Sequence, residues 1–98
     1  MCGATKGGLS VEGIDVTKEA VVQGVVVHQD TAVGGAYVRL LDSGGEFTAE
    51  MPTSASGHFR FFAAPGSWTL RVLAPGADPV DQPVVAEQGV VAEVEIAI

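Results

Sequence analysis

Apolar and polar residues alternate along most of the chain beyond residue 18, and the alternation is sharpest between Gly57 and Leu73. There Phe59, Phe61 and Ala63 interleave with His58, Arg60 and Phe62, and Trp68, Leu70 and Val72 interleave with Ser67, Thr69 and Arg71. A period of two is what a strand needs to keep one face in a core and the other in water. Pro65-Gly66 sits between the two runs as turn punctuation, so the stretch predicts an antiparallel hairpin. This hairpin holds the only tryptophan and three of the four phenylalanines, which predicts that it forms the heart of the core.

The rest of the chain supplies further strands. Residues 1–18 mix glycine, threonine and charge, with Leu9, Val11, Ile14 and Val16 spread among them, and read as an N-terminal arm. Glu19 to His28 is a valine-rich run that predicts the first long strand, with Val22 and Val26 pointing inward. A turn over Gln29–Gly35 leads to a strand from Ala36 to Asp42, with Val38 and Leu40 inward. Asp42-Ser43-Gly44-Gly45 ends it, and a short strand from Glu46 to Met51 follows. After the turn-rich Ala74–Pro79, Val80 to Glu87 reads as an edge strand, because Pro83 would interrupt a central ladder. Val90 to Ile98 is the last strand, with Ala92, Val94, Ile96 and Ile98 alternating with Glu93, Glu95 and Ala97. About seven short strands with regular turn signals predict an all-β fold, an antiparallel β-sandwich. The expected organisation is an arm over residues 1–18 and a sandwich domain over 19–98.

This phasing leaves Val21, Val25, Val27, Tyr37, Leu41 and Phe62 on outward faces. Large apolar residues gathered on an outer face mark a contact surface or a covered one. Val25, Val27, Tyr37, Leu41 and Phe62 are therefore candidate interface positions, for a homodimer or another protein, unless the apolar residues of the arm cover them.

Composition narrows the function classes. Twelve acidic against five basic residues give a net charge of −7, which repels phosphate backbones and argues against nucleic-acid binding. Apolar runs reach only about four residues, far below the roughly 18 that a membrane-spanning helix needs. The first residues lack the apolar core of a secretory signal, so a cytoplasmic location is expected. One cysteine excludes an internal disulfide and any multi-cysteine zinc site.

Cys2 is the most reactive candidate. With Met1 removed its thiol would stand beside an α-ammonium, and a neighbouring positive charge raises the thiolate fraction that sulfur transfer requires. His28, His58, Arg39 and Arg60 are the other side chains from which an outer-face binding cleft could be assembled. The spacing of the histidines matches no metal-ligand pattern, and no nucleophile elbow or phosphate-binding loop is present. No cofactor and no catalytic motif are indicated, so a non-enzymatic role is expected. Glu93 and Glu95, on one strand face, read as a solvated face or as a guard against edge-to-edge pairing.

Val22-Gln-Gly24-Val-Val26, Val33-Gly-Gly-Ala-Tyr-Val38, Ser56-Gly57-His-Phe59-Arg-Phe61 and Ala64-Pro65-Gly66-Ser-Trp68-Thr-Leu70 resemble carboxypeptidase regulatory-like domains. That resemblance implies a transthyretin-like (prealbumin-like) β-sandwich. More narrowly, Met1-Cys2-Gly3, the run from Val33 to Glu50 and the run from Phe59 to Arg71 resemble the actinobacterial SseC family, a domain of unknown function. This second resemblance implies an accessory role in sulfur metabolism beside a thiosulfate sulfurtransferase, with Cys2 as the one position carried over as a possible sulfur acceptor. The C-terminal Tyr-Arg-Gly-Ser signature of a transthyretin-like purine-pathway hydrolase is absent. Intradiol-type iron sites on related sandwiches use two tyrosines and two histidines, whereas Tyr37 is the sole tyrosine here.

Overall fold

Valines at alternate positions organise the first strand, β1 (Val21–His28), with Val22 and Val26 fully buried between two sheets. The structure, a computed structural model, describes residues 20–98; the expected arm and Cys2 lie outside the described residues. Seven strands follow β1: β2 (Thr31–Ala32), β3 (Tyr37–Leu41), β4 (Phe47–Pro52), β5 (His58–Phe62), β6 (Gly66–Leu73), β7 (Val80–Ala86) and β8 (Val91–Ala97). The architecture is the expected all-β sandwich, with one strand more than expected because the turn after β1 includes the two-residue β2.

One sheet is built around β1. β8 lies on one side of it, while β5 and the short β2 share the other side, pairing with Val21–Val25 and Val27–His28 respectively. The second sheet has the order β4-β3-β6-β7. β8 runs parallel to β1, from Val21↔Val91 to Val27↔Ala97, and is the one departure from antiparallel pairing among the described strands. β7 pairs only with β6 among them, which places Pro83 on an edge where its missing N–H interrupts nothing further.

The expected hairpin across Pro65-Gly66 does not form. β5 pairs with β1 in the first sheet and β6 pairs with β3 and β7 in the second, so the Pro-Gly corner carries the chain from one sheet to the other. Alternation assigns a residue to a face and says nothing about the neighbouring strand. Both strands do turn their apolar residues into the same core, Phe59 and Phe61 from one sheet and Leu70 and Val72 from the other. The tryptophan is less central than expected. Trp68 is half-buried at the margin and donates through Nε1 to the Ala64 carbonyl at 2.8 Å.

Phe59 is the centre of the core, fully buried and 6.2 Å from Phe61 between ring centroids, with the rings tilted 51°. Its ring occupies the space a side chain at Gly24 would need. A Cβ there would fall 3.0 Å from Phe59 Cζ and would strike the Val94 carbonyl oxygen. The absent side chain at Gly24 thus lets β5, β1 and β8 close over one ring. Thr53, also buried, fastens the loop before β3: its hydroxyl donates to Val33 O (2.7 Å) and accepts from Ala36 N–H (3.0 Å).

Two side chains expected to be exposed are buried. Val21 is 0% and Leu41 4% exposed, although both stand on outer faces and neither belongs to the central core. Val21 is flanked by its register partners Phe62 and Val91, and Leu41 by Thr69 and Phe47. The sequence pattern shows which face a residue stands on, and neighbours decide how much of it is covered.

Phe59→Ala is expected to lower unfolding free energy by roughly 3–5 kcal/mol in urea titration. Gly24→Ala should cost at least about 1–3 kcal/mol because backbone must move. Thr53→Val, close in shape but unable to accept or donate, is expected to cost about 1–3 kcal/mol by leaving the Ala36 N–H unpaired.

Candidate functional site

The outer face of the first sheet is ordered in rows by its register. Phe62, Val21 and Val91 form one row, Arg60, Gln23 and Glu93 the next, and His58, Val25 and Glu95 the third. Val27 and Ala97 follow. In the second row a relay crosses three strands. Arg60 Nε donates to Gln23 Oε1 at 3.0 Å, and Gln23 Nε2 donates to Glu93 Oε2 at 3.2 Å. The relay fixes the orientation of the Gln23 amide, because each of its ends faces a group of defined role. Arg60 Nη2 is buried without a hydrogen-bond partner among the described residues. An open groove of about 290 Å³ runs over Val25, between His58 on one wall and Glu93 and Glu95 on the other.

The outer face of the second sheet carries a row of four charged residues, one from each strand. Arg39 pairs in register with Glu50 on β4 and Arg71 on β6, and Arg71 pairs with Asp81 on β7. Two arginines directly opposite repel each other, and an acid on each side offsets this. Arg39 Nε meets Glu50 Oε2 at 2.7 Å, while Arg71 holds Asp81 with two bonds, Nε–Oδ1 at 2.8 Å and Nη2–Oδ2 at 3.0 Å. The fork of Arg71 holds the Asp81 carboxyl below its ordinary range, and the same bonds raise the guanidinium. Both residues are exposed to water, so the pair adds little to stability. Its small contribution is present above the ordinary carboxylate range and is lost as pH falls through the lowered value.

Apolar side chains frame this row. Tyr37 is 49% exposed on one side; Phe47 (60%) and Val85 (56%) are exposed on the other. The Arg39 guanidinium also lies 5.8 Å from the Phe47 ring centre, within cation–π range.

The five candidate interface positions therefore divide between opposite faces. Val25, Val27 and Phe62 are on the first sheet, with Phe62 57% exposed, and Tyr37 and Leu41 are on the second, with Leu41 buried. The cleft of His28, His58, Arg39 and Arg60 is likewise not assembled. Arg39 stands on the outer face opposite to that of His58 and Arg60, with two sheets roughly 10 Å apart between them. His28 closes the end of β1, with Nδ1 2.6 Å from the Ile98 carbonyl oxygen. Among the described residues no group of three or more His, Cys, Asp or Glu could hold a metal ion, and no helix is long and apolar enough to cross a membrane.

Sequence reasoning missed Phe47 and Val85. Phe47 shares the parity of inward-facing Ala49 and Met51, so plain alternation would bury it, and the bulge between Leu40 and Leu41 in the β3–β4 ladder turns it outward instead. The acid partners of the two arginines depend on strand order, for which the sequence carried no local signal.

Fold and faces together define a two-sheet β-sandwich with polar networks on both outer surfaces. The chain belongs to the family described as "Protein of unknown function (DUF1416)", whose model matches residues 2–98. It is similar to "Uncharacterized protein Rv0814c" of Mycobacterium tuberculosis, 59% identical over 87 residues that cover 85% of this chain and 87% of the relative. Among solved structures it is similar to BcpA, the major pilin subunit of Bacillus cereus, with a TM-score of 0.69 at 21% identity, over 82% of this chain and 28% of that one. A second likeness is to the dioxygenase domain of a dioxygenase carbohydrate-binding protein fusion from Streptomyces sp. SirexAA-E, with a TM-score of 0.65 at 12% identity, over 90% of this chain and 84% of that one. At these identities the structural likenesses concern the fold alone.

Replacing Arg71 by Ala should raise the Asp81 pKa toward the ordinary carboxylate value, as read by carboxyl NMR titration. An unmoved Asp81 titration would show that the fork does not hold in solution.

Proposed function

We propose that this chain is a non-catalytic accessory module of sulfur metabolism that docks on a protein partner, a thiosulfate sulfurtransferase, through the outer face of β4-β3-β6-β7. The observation that carries the reading is the Glu50–Arg39–Arg71–Asp81 row framed by exposed Tyr37, Phe47 and Val85. Tyrosine and arginine are the residue types that dominate binding hot spots, because a rigid ring or planar fork contributes much contact at little ordering cost. Pairing each arginine with an acid presets its direction before a partner arrives.

The sulfur connection rests on the resemblance of the chain to the SseC family. In that setting Cys2 is the residue suited to accept sulfur: its thiolate would attack the outer sulfur of a partner's cysteine persulfide, and the partner's thiolate would leave. Scaffolding needs only the docking face, so the two roles separate experimentally.

The test is binding of the full chain to a thiosulfate sulfurtransferase by biolayer interferometry. Tyr37→Ala and Phe47→Ala are each expected to weaken binding about tenfold or more, the scale of a hot-spot loss. Glu95→Lys, on the opposite face, should leave it unchanged. Absence of binding by the unaltered chain, or equal losses from both faces, would overturn the docking reading. Intact mass after incubation with the persulfide-loaded enzyme tests Cys2, with one added sulfur atom expected and an unmodified thiol opposing it.

A further inference from the structure

On the outer face of the first sheet, burial falls off along β1. Val21 is fully buried and Gln23 only 9% exposed, whereas Val25 and Val27 are half-buried and His28 is exposed. The flanking positions do not account for the closed end. Phe62 on one side of Val21 is itself exposed and Val91 on the other is half-buried, and cross-strand neighbours shield a residue from its flanks rather than from above. All eight described strands lie within the two sheets, so none of them passes over this face. The closed end is the one at Ala20, where residues 1–19 join the sheet.

A second observation falls at the same end. Arg60 Nη2 is buried without a hydrogen-bond partner among the described residues, while Nε of the same guanidinium donates to Gln23, a neutral amide. Glu93, the carboxylate of the row, is held by the far end of that amide. A buried guanidinium N–H is costly unless an acceptor reaches it, and a carboxylate is the acceptor that offsets the charge as well. From these two observations we propose that the chain's own N-terminal segment seats on the Val21–Gln23 end of this face, with Ile14 and Val16 over the closed rows and the Glu12 carboxylate on the Arg60 guanidinium.

The segment has the pattern and the length for this seat. Ile14 and Val16 alternate with Asp15 and Thr17, and Glu12 shares the parity of the apolar pair, so in extended form two apolar side chains and one carboxylate meet the same surface. Asp15 takes the opposite side, and Glu19 stands four positions before Gln23, about 13 Å along an extended chain. Residues 12–19 extend to about 26 Å, enough to reverse and return over two rows spaced about 7 Å apart. The open groove over Val25 begins beyond the covered rows. With the first sheet covered by the chain itself, β4-β3-β6-β7 is the face left to meet another protein.

NMR of the full chain alone tests this, so its outcome is separate from that of partner binding. Nuclear Overhauser contacts are expected between the Ile14 or Val16 methyls and the Val21 methyls, and they should be lost in the double variant Ile14→Asp/Val16→Asp. The Glu12 carboxyl should titrate below the ordinary carboxylate range, because the guanidinium favours its charged form. Arg60→Gln should return that titration upward and leave those of Asp15 and Glu19 in place. Methyl shifts of Leu40, Leu70 and Val72 that match those of the unaltered chain would show that both variants keep the sandwich. An unaltered chain in which residues 9–16 make no contact with β1, or contact Tyr37 and Phe47 instead, would overturn the proposal. So would a Glu12 titration that Arg60→Gln does not move, or a shift at Asp15 or Glu19 in its place.

Discussion

The closure of β5, β1 and β8 over the Phe59 ring is the contact on which the other features depend. It requires a glycine at position 24, since a Cβ there would strike both the ring and the Val94 carbonyl. With the ring seated, the inward valines of β1 meet Leu70 and Val72 from the other sheet, and the strand register is set. A slip of one residue would exchange the faces of a strand and expose its core side chains. The same register fixes the polar rows outside, so core packing and surface charge pattern share one cause.

The two outer faces differ in how charge is handled. On the first sheet a glutamine links a guanidinium and a carboxylate across three strands, leaving opposite charges on opposite sides. On the second, each arginine has its own acid and the two cations stand together in the middle.

Much of the fold was legible in the sequence because period-two alternation reports burial directly. Val22, Val26, Val38, Leu40, Phe59, Phe61, Leu70 and Val72 all face inward as the pattern indicated, and Pro83 marked its strand as an edge. The partner of each strand was not legible. The Pro65-Gly66 corner gives the same local signal whether the chain folds back within one sheet or crosses to the other. The candidate sites suffered from the same gap: Arg39 and Arg60 look alike in sequence, and only strand order places them on opposite surfaces. Leu41 and Val21 were misjudged for a related reason, since exposure depends on neighbours contributed from distant parts of the chain.

Docking through the second sheet is the central functional claim, and NMR mapping of the full chain titrated with a thiosulfate sulfurtransferase tests it most directly. The account predicts that amide shifts and line broadening concentrate at Tyr37, Arg39, Phe47, Arg71 and Val85, with the Gln23–Val27 segment unaffected. Perturbations centred on β1 and β8, or none at all, would contradict it.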